Sequence, residues 1–279
     1  FGDAAAPLGS LCTPPVDAST NSLDCDDTQP TVYFAALEIC DGLDNNCDGL
    51  VDDADPDLWS GQAFYVDADE DGFGDDSAIV NACALGLGLS EIGGDCDDSN
   101  PNAFPNQNFT VGPTQTYTSI QSAINDACDG AIITVEPGTY NEQLTFLGRP
   151  ITINGAGQGS TIIEAASPAV TVPSAQSSGT QLLSLTLRAD GSPFASDGGG
   201  IFIGPNGYLD VQFVTLEDFA STSGAGGGIY ASANSTLFTD NVVFTDVVST
   251  FGDLVYTQGA WFSSQLSAPW PTTTGQTAV

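Results

Sequence analysis

Two short aspartate-rich loops carry the clearest chemistry in this chain. The first loop covers residues 44–49 and the second residues 67–72, and both read D-x-[DN]-x-D-G. Carboxylate and amide oxygens on alternate residues, followed by a glycine turn, can surround one hard cation, above all Ca²⁺. Each loop continues to an acid, Asp52 or Asp75, at its ninth position. The spacing therefore predicts two calcium sites.

Neighbouring acids enlarge the predicted ligand set. The stretches 24–27 and 95–98 each hold three aspartates around one cysteine. The predicted metal ligands are Asp44, Asn46, Asp48, Asp52, Asp53, Asp67, Asp69, Asp71, Asp75, Asp24, Asp26, Asp27, Asp95, Asp97 and Asp98. Neither loop is an ordinary EF-hand, because the twelfth position holds Asp55 or Ala78 and not a bidentate Glu. A more open calcium loop is expected.

The composition excludes several classes of partner. The chain has 279 residues and a formal net charge of −34, with Arg149 and Arg188 as its only basic residues. Nucleic acid and anionic membranes are therefore poor partners. No apolar run is long enough to predict a transmembrane segment. Residues 1–105 hold 23 of the 36 acids; a solvated, salt-adapted surface would explain the scattered acids but not the loop spacing.

An internal repeat in residues 1–105 suggests a disulfide framework. Cysteines 12 and 25 have the same separation as cysteines 83 and 96, and the second cysteine of each pair lies in a similar acidic context. The repeat predicts the pairs Cys12–Cys25, Cys40–Cys47 and Cys83–Cys96, with Cys128 as a buried free thiol. Such pairing indicates an oxidising, extracellular compartment. Zinc is the weaker alternative, because the chain has no C-x-x-C pair and no His. Residues 1–3 match residues 73–75, so we expect the chain to begin inside a repeat.

The acidic module resembles a known family of motifs. Residues 24–27, Pro30, residues 38–49 and Asp52, followed by residues 64–75, resemble the MopE-type metal-binding repeats of secreted bacterial proteins, and they are also similar to thrombospondin type 3 calcium repeats. The second copy departs from the pattern after Pro101. The resemblance implies metal binding. Copper is disfavoured in this chain, because His and Met are both absent.

The pattern changes beyond residue 113. Residues 119–127 suit one short amphipathic helix, and short β-rich runs follow at residues 132–135, 151–153, 161–163, 170–172 and 182–187. The tetrapeptide Gly-Gly-Gly-Ile at 198–201 recurs 28 residues later, at 226–229. Repeats of this length indicate stacked rungs that share one core.

Residues 117–124, 133–140 and 151–157 resemble the start of right-handed parallel β-helices of the pectin-lyase-like superfamily, and the Gly-Gly-Gly-Ile repeats are similar to those of outer-membrane adhesins. We therefore predict a mainly β fold, in which an irregular, disulfide-stapled calcium-binding module precedes a right-handed parallel β-helix. The expected boundaries are 1–105 for the module, 106–113 for a linker, 114–262 for the β-helix and 263–279 for a Ser/Thr-rich tail or cap.

An enzyme is the alternative of another class. Polysaccharide lyases of the resembled fold use an Arg or Lys base, for which Arg188 is the better candidate, but a surface ion pair with Asp190 is the more conservative interpretation. Glycoside hydrolases pair carboxylates, yet the His and basic motif that usually accompany them are missing. We therefore expect a non-enzymatic, extracellular or cell-surface protein stabilised by several Ca²⁺ ions. Its expected role is a fibre or filament subunit formed by self-assembly, or a surface stalk. A monomeric adhesin that attaches to a surface or to glycans remains the nearest alternative.

Overall fold

A computed structural model describes residues 24–174, 178–192, 197–221, 224–249, 254–259 and 261–265. Cys12, the match at residues 1–3 and residues 266–279 of the predicted tail lie outside the described residues. The chain divides into two compact units, Phe1–Pro101 and Asn102–Val279. Among the described residues, no helix has the length and apolar character needed to cross a membrane.

The described part of the first unit, residues 24–101, is mostly irregular and contains one four-stranded sheet. A 3₁₀ helix at Asp52–Ala54 precedes β1 (Gln62–Val66), β2 (Gly74–Ala82), β3 (Leu89–Ser90) and β4 (Gly93–Asp95). The strand order is β3-β1-β2-β4, with β1 antiparallel to β2 and β4 parallel to β2. The second aspartate loop is therefore the connection of the β1–β2 hairpin. β4 ends at Asp95, which pairs with Asp75 at the start of β2.

The described residues of the second unit form one helix and many short parallel strands, as predicted. The helix is α1 (Ile120–Asp126). The strands are β5 (Asn108–Val111), β6 (Ile132–Val135), β7 (Gly138–Tyr140), β8 (Leu144–Thr145), β9 (Thr152–Gly155), β10 (Thr161–Ala165), β11 (Val170–Val172), β12 (Gln181–Ala189), β13 (Ile201–Ile203), β14 (Tyr208–Glu217), β15 (Ala220–Ser221), β16 (Ile229–Ala231), β17 (Thr236–Asp240), β18 (Val243–Thr245), β19 (Val248–Ser249), β20 (Val255–Thr257) and β21 (Trp261–Gln265).

The parallel registers confirm a β-solenoid. A ten-stranded sheet includes the path β21-β17-β14-β12-β9-β6-β5, and a five-stranded sheet has the order β20-β16-β13-β11-β8. The sequence repeat sets the register, since Ile201 pairs with Ile229 and Leu209 pairs with Leu237. Inward-facing residues such as Leu185, Val214 and Leu216 are fully buried and form one continuous core along the stack.

Left-handed residues recur at the corner between two inward-facing runs. Ser184, Phe213 and Asn241 have φ angles of 56°, 55° and 52°. Ser184 lies inside β12, Phe213 lies inside β14, and Asn241 lies between β17 and β18, so the left-handed residue occurs at the same place in successive coils. The repeated bends at these positions allow short straight strand segments to surround the apolar core.

The segment expected to be a linker is part of the solenoid. Residues 108–111 form β5, which pairs with β6 from Asn108–Ile132 to Val111–Val135. The alternation of its side chains explains the difference, because Phe109 and Val111 point into the core and are buried while Asn108 and Thr110 are exposed. The polar residues on one face made the segment resemble a linker.

Candidate metal centre

The second aspartate loop is held in shape by hydrogen bonds to its own carboxylates. The amide N–H of Asp71 donates to Oδ1 of Asp67 and to Oδ1 of Asp69, both at 3.2 Å. The amide of Gly72 donates to the other oxygen of Asp67 at 3.0 Å, and that of Phe73 donates to Oδ1 of Asp71 at 2.9 Å. These bonds curl the loop so that three carboxylates converge.

Two further aspartates reach the same loop from β4 and the turn after it. Ligand oxygens of Asp67, Asp69 and Asp71 lie within 4.8 Å of one another, and so do those of Asp69, Asp95 and Asp98. Oδ1 of Asp98 accepts a hydrogen bond of 2.8 Å from the amide of Ala68 inside the loop. Asp69 belongs to both groups and joins them. We call these five residues the composite cluster.

The composite cluster holds carboxylate oxygens that need a partner. Oδ2 of Asp69, Asp71 and Asp95 is buried in each case and has no hydrogen-bond partner among the described residues. Buried polar atoms in native proteins are nearly always satisfied, by protein groups, water or an ion. Three such oxygens on converging carboxylates are the arrangement expected where a cation supplies the missing interaction.

The pKa values of this cluster reflect the crowding of negative charge. Burial raises the pKa of Asp69, and the charges of Asp71, Asp67 and Asp98 raise it further, against one hydrogen bond from the Asp71 amide. Burial also raises the pKa of Asp95, with smaller contributions from Asp71, Asp69 and Asp98. The ionised carboxylates are therefore destabilised where no counter-charge is present, and a divalent cation would remove that penalty.

The first aspartate loop has the same internal hydrogen bonds but is more open. The amide of Asp48 donates to Asp44 at 3.1 Å and to Asn46 at 2.9 Å, and the amide of Gly49 donates to Asp44 at 2.9 Å. Asp48 is exposed and Asn46 is neutral. This loop thus offers fewer charges than the composite cluster, and none of its oxygens is both buried and unpartnered among the described residues.

The other predicted ligands lie outside the composite cluster, and their binding of metal stays a prediction. Oδ1 of Asp52 accepts from the amides of Asp41 and Gly42, and Oδ1 of Asp53 accepts from the amide of Cys83. Hydrogen bonds from the amide and hydroxyl of Ser77 lower the pKa of Asp75. Asp24, Asp26 and Asp97 each accept hydrogen bonds within their own turns.

One important acid was not among the predicted ligands. Glu38 is 1% exposed, and its two carboxylate oxygens accept from the amides of Asn45 and Asp52 at 2.9 Å and 3.0 Å. It thereby holds the first loop against the 3₁₀ helix. The only signal for it was its place in the Glu-Ile-Cys-Asp-Gly block at residues 38–42.

The disulfides differ from the predicted pairs. Cys25 pairs with Cys47, and Cys40 pairs with Cys83. Cys96 and Cys128 are also disulfide-bonded, so Cys128 is not a free thiol. The predicted pairs Cys12–Cys25, Cys40–Cys47 and Cys83–Cys96 are wrong because each was drawn within one short repeat segment. The two bridges instead span 22 and 43 residues of sequence.

Both basic residues are engaged in structural contacts of the solenoid. Arg188 donates to Glu217 on the next coil at 2.9 Å and lies 3.7 Å from Glu164 on the previous coil. The suggested pairing with Asp190 is wrong, because the parallel register aligns Arg188 with Glu164 and Glu217. Arg149 donates to the carbonyl of Ala127, at the C-terminal end of α1, at 2.7 Å.

Comparison with known proteins supports the metal-binding interpretation of the first unit. No curated protein and no solved structure matches the chain. Residues 24–53 and 95–108 match the family model "Cu-binding_MopE: Putative metal-binding motif", which thus covers the first aspartate loop and both Asp-Cys-Asp-Asp stretches.

Proposed function

We propose that this protein is a secreted structural protein whose first unit is folded and stiffened by Ca²⁺. The observation that carries the proposal is the set of three buried, unpartnered carboxylate oxygens on Asp69, Asp71 and Asp95. Calcium takes six to eight oxygen ligands in flexible geometry, whereas Mg²⁺ demands a near-ideal octahedron and is usually bound through one or two carboxylates. Five converging aspartates favour calcium.

An extracellular location agrees with both the chemistry and the cysteines. Extracellular calcium modules bind with dissociation constants on the order of 10⁻⁴–10⁻³ M, and calcium at such concentrations is available outside cells. Disulfides persist in oxidising compartments, and all six described cysteines are disulfide-bonded. Calcium here acts as a building element and not as a signal.

The test compares thermal unfolding with and without calcium in Asp69→Asn and in Asp57→Asn. Asp57 is exposed and lies outside the composite cluster, so its variant is a control with the same change in charge. At about 10 mM calcium, a dissociation constant on the order of 10⁻⁴–10⁻³ M stabilises the native protein by about 1.4–2.7 kcal/mol. Asp57→Asn should keep this gain.

Asp69→Asn should show two opposite effects. It removes the ligand shared by both oxygen groups, so the calcium-dependent rise in melting temperature should largely vanish. It also removes one repelling charge, so the variant should melt above the wild type in EDTA. A wild type whose melting temperature does not respond to calcium would overturn the proposal.

The solenoid is proposed to be a rigid stalk or the body of a fibre subunit, without catalytic activity. Two observations support a non-catalytic role: Arg188 is held between Glu164 and Glu217, and Arg149 is bonded to the end of α1. An adhesin is the second candidate, favoured by Phe213 and Phe238, which are 45% and 39% exposed on the solenoid. Glycan cleavage by the wild type that is lost in Arg188→Ala would overturn the non-catalytic role.

We propose that self-assembly does not extend the strand stack from the end that α1 covers. α1 packs on β5, β6 and β8 of the first coil with Ile120, Ala123 and Ile124 buried. Growth would then proceed from the β20 and β21 end or through lateral contacts. Light scattering and electron microscopy with calcium should show filaments, whereas a monodisperse monomer would favour the adhesin.

A further inference from the structure

The name of the matched family model implies copper, but the donor atoms of this chain do not fit that metal. The chain contains no His and no Met. The six described cysteines are in disulfides, which removes their thiolates as ligands. Copper(I) prefers thiolate and thioether sulfur, and copper(II) in proteins is held chiefly by imidazole nitrogen in square-planar or tetragonal geometry.

The oxygens of the composite cluster are arranged for a different kind of ion. Both oxygens of Asp67, and one oxygen of each of Asp69 and Asp71, already accept hydrogen bonds from backbone amides of residues 71–73. Oδ2 of Asp69 and of Asp71 remains buried and unpartnered, and Asp95 adds a third such oxygen from β4. Five carboxylates offer more oxygens than a four-coordinate plane can use, and they offer copper(I) no sulfur ligand.

We propose that the metal-binding motif of this chain selects Ca²⁺ and forms no copper site in either oxidation state. This inference rests on the proposed cation-binding function and specifies the chemical class of its ligand. Aspartate oxygens are hard donors, and the cluster extends to residues 67–71, which lie between the two segments matched by the family model. The cation would therefore join the hairpin loop to the Asp-Cys-Asp-Asp turn that follows β4.

Copper(II) needs a careful control, because it binds most nitrogen and oxygen groups more tightly than other first-row divalent ions do. The 36 acids of the chain will attract some of it non-specifically. The criterion is therefore whether binding depends on the composite cluster. The test variant is Asp69→Asn/Asp95→Asn, and the matched control is Asp57→Asn/Asp190→Asn, whose two aspartates are exposed and outside the cluster.

The full chain and both variants are titrated with Ca²⁺, with Cu²⁺, and with Cu⁺ in competition with bicinchoninate. The heat of binding and the melting temperature are measured for each metal. Calcium should bind the wild type and the control alike, and bind the test variant more than about tenfold more weakly, which corresponds to about 1.4 kcal/mol. Cu⁺ should stay with the chelator. Cu²⁺ should bind all three proteins equally and should not raise the melting temperature. Asp69→His/Asp95→His should gain Cu²⁺ binding, which shows that the assay detects a true site.

The possible outcomes distinguish the inference of calcium selectivity from the proposed function. Copper that binds with one ion per chain and is lost in the test variant would overturn this inference and leave metal binding intact. Calcium that binds the wild type and the test variant equally would place the ion elsewhere and overturn the proposed site. Binding of neither metal would overturn both the proposed function and calcium selectivity.

Discussion

At the scale of single residues, Asp69 is the member of the candidate metal centre that belongs to both groups of converging oxygens. Its oxygens approach those of Asp67 and Asp71 within the loop and those of Asp95 and Asp98 from outside it. Asp67, by contrast, has both oxygens bonded to backbone amides. The two residues therefore have different roles: Asp67 shapes the loop through two hydrogen bonds, and Asp69 keeps one buried oxygen without a hydrogen-bond partner among the described residues.

That difference leads to a testable contrast between Asp67→Asn and Asp69→Asn. Asp67→Asn should destabilise the protein in EDTA as well as in calcium, because a neutral amide accepts the Asp71 and Gly72 amides less well, at a cost of about 1–3 kcal/mol. Asp69→Asn should lower stability only in calcium. Chemical denaturation of both variants in the two conditions measures this. Equal effects of the two substitutions in EDTA would contradict the division of roles.

Ionisation of Tyr117 should make the stability of the solenoid depend on pH in the alkaline range. Burial raises its pKa to about 12, with a further contribution from its hydrogen bond to Asp126. Because the pKa in the folded state lies above the unfolded value of 10.0, the stabilisation is fully present below pH 10 and is lost as the pH rises towards 12. The loss is at most about 2–3 kcal/mol. Tyr117→Phe should flatten this part of the stability profile, measured by urea unfolding between pH 9 and about 12. A Tyr117→Phe profile as steep as that of the wild type would assign the alkaline loss to other groups.

At the scale of elements, α1 shows how a seven-residue helix is kept in place. Ser119 is its N-cap and accepts from the amide of Ser122. Glu142, from the loop before β8, accepts from the amides of Ile120 and Gln121 and from the hydroxyl of Ser119. Arg149 satisfies the carbonyl of Ala127 at the other end. A helix this short is marginal by itself, so these distant partners complete it.

Glu142→Ala should therefore destabilise the first coil by about 1–3 kcal/mol, because it leaves helix N-terminal amides without their acceptor. Glu142→Gln, which keeps an acceptor oxygen, should cost less. Hydrogen exchange should show the loss of protection in residues 120–126 before any loss in β14. Unchanged exchange of the helix in Glu142→Ala would mean that packing alone holds it.

The repeated glycines are explained by the distance between coils. A Cβ atom at Gly199 would lie 2.1 Å from the carbonyl oxygen of Gly227, and one at Gly200 would lie 2.4 Å from a methyl group of Leu216. Gly199→Ala should therefore cost about 1–3 kcal/mol through overpacking. Gly138→Ala is a matched control in the same solenoid, since its Cβ would find its nearest neighbour, Tyr140, at 3.5 Å. Thermal unfolding of the two variants should differ clearly; similar melting temperatures would show that the coils can separate without cost.

The sequence predicts those parts of the fold that local patterns determine. The 28-residue repeat places Ile201 beside Ile229, and the run at residues 132–135 coincides with β6. The linker predicted at residues 106–113 is wrong at β5, because the exposed Asn108 and Thr110 hide the alternation with the buried Phe109 and Val111. The composite cluster depends on the pairing of β2 with β4. The sequence contains no periodic signal for that pairing, so the meeting of Asp95 and Asp98 with loop 67–72 could not be foreseen.

At the scale of the whole molecule, the two units are stabilised by different means. The second unit has a continuous apolar core, whereas the first unit relies on cross-links and on acceptor carboxylates such as Glu38. Chain-entropy arguments give about 4 kcal/mol for the Cys40–Cys83 bridge and about 3 kcal/mol for Cys25–Cys47. We therefore expect the fold of the first unit to depend on redox state and cation concentration, and that of the second unit to depend on packing.

Reduction should therefore act selectively. Treatment with dithiothreitol in EDTA should abolish protection of residues 62–98 against hydrogen exchange while β12 and β14 remain protected. Calcium added before the reductant should slow this loss. Simultaneous loss of protection in both units would contradict the idea that the two units are stabilised by different means. The control is a sample without reductant, in which mass spectrometry confirms that the disulfides are intact.

The engagement of both arginines has a practical consequence for proteolysis. Trypsin cuts after Lys or Arg, the chain has no Lys, and Arg149 precedes Pro150, which leaves the bond after Arg188 as the single susceptible position. That bond lies inside β12, between β10 and β14, with the guanidinium held by Glu217. Cleavage there requires the coils to separate, so the rate of appearance of two fragments measures how often the solenoid opens in its middle.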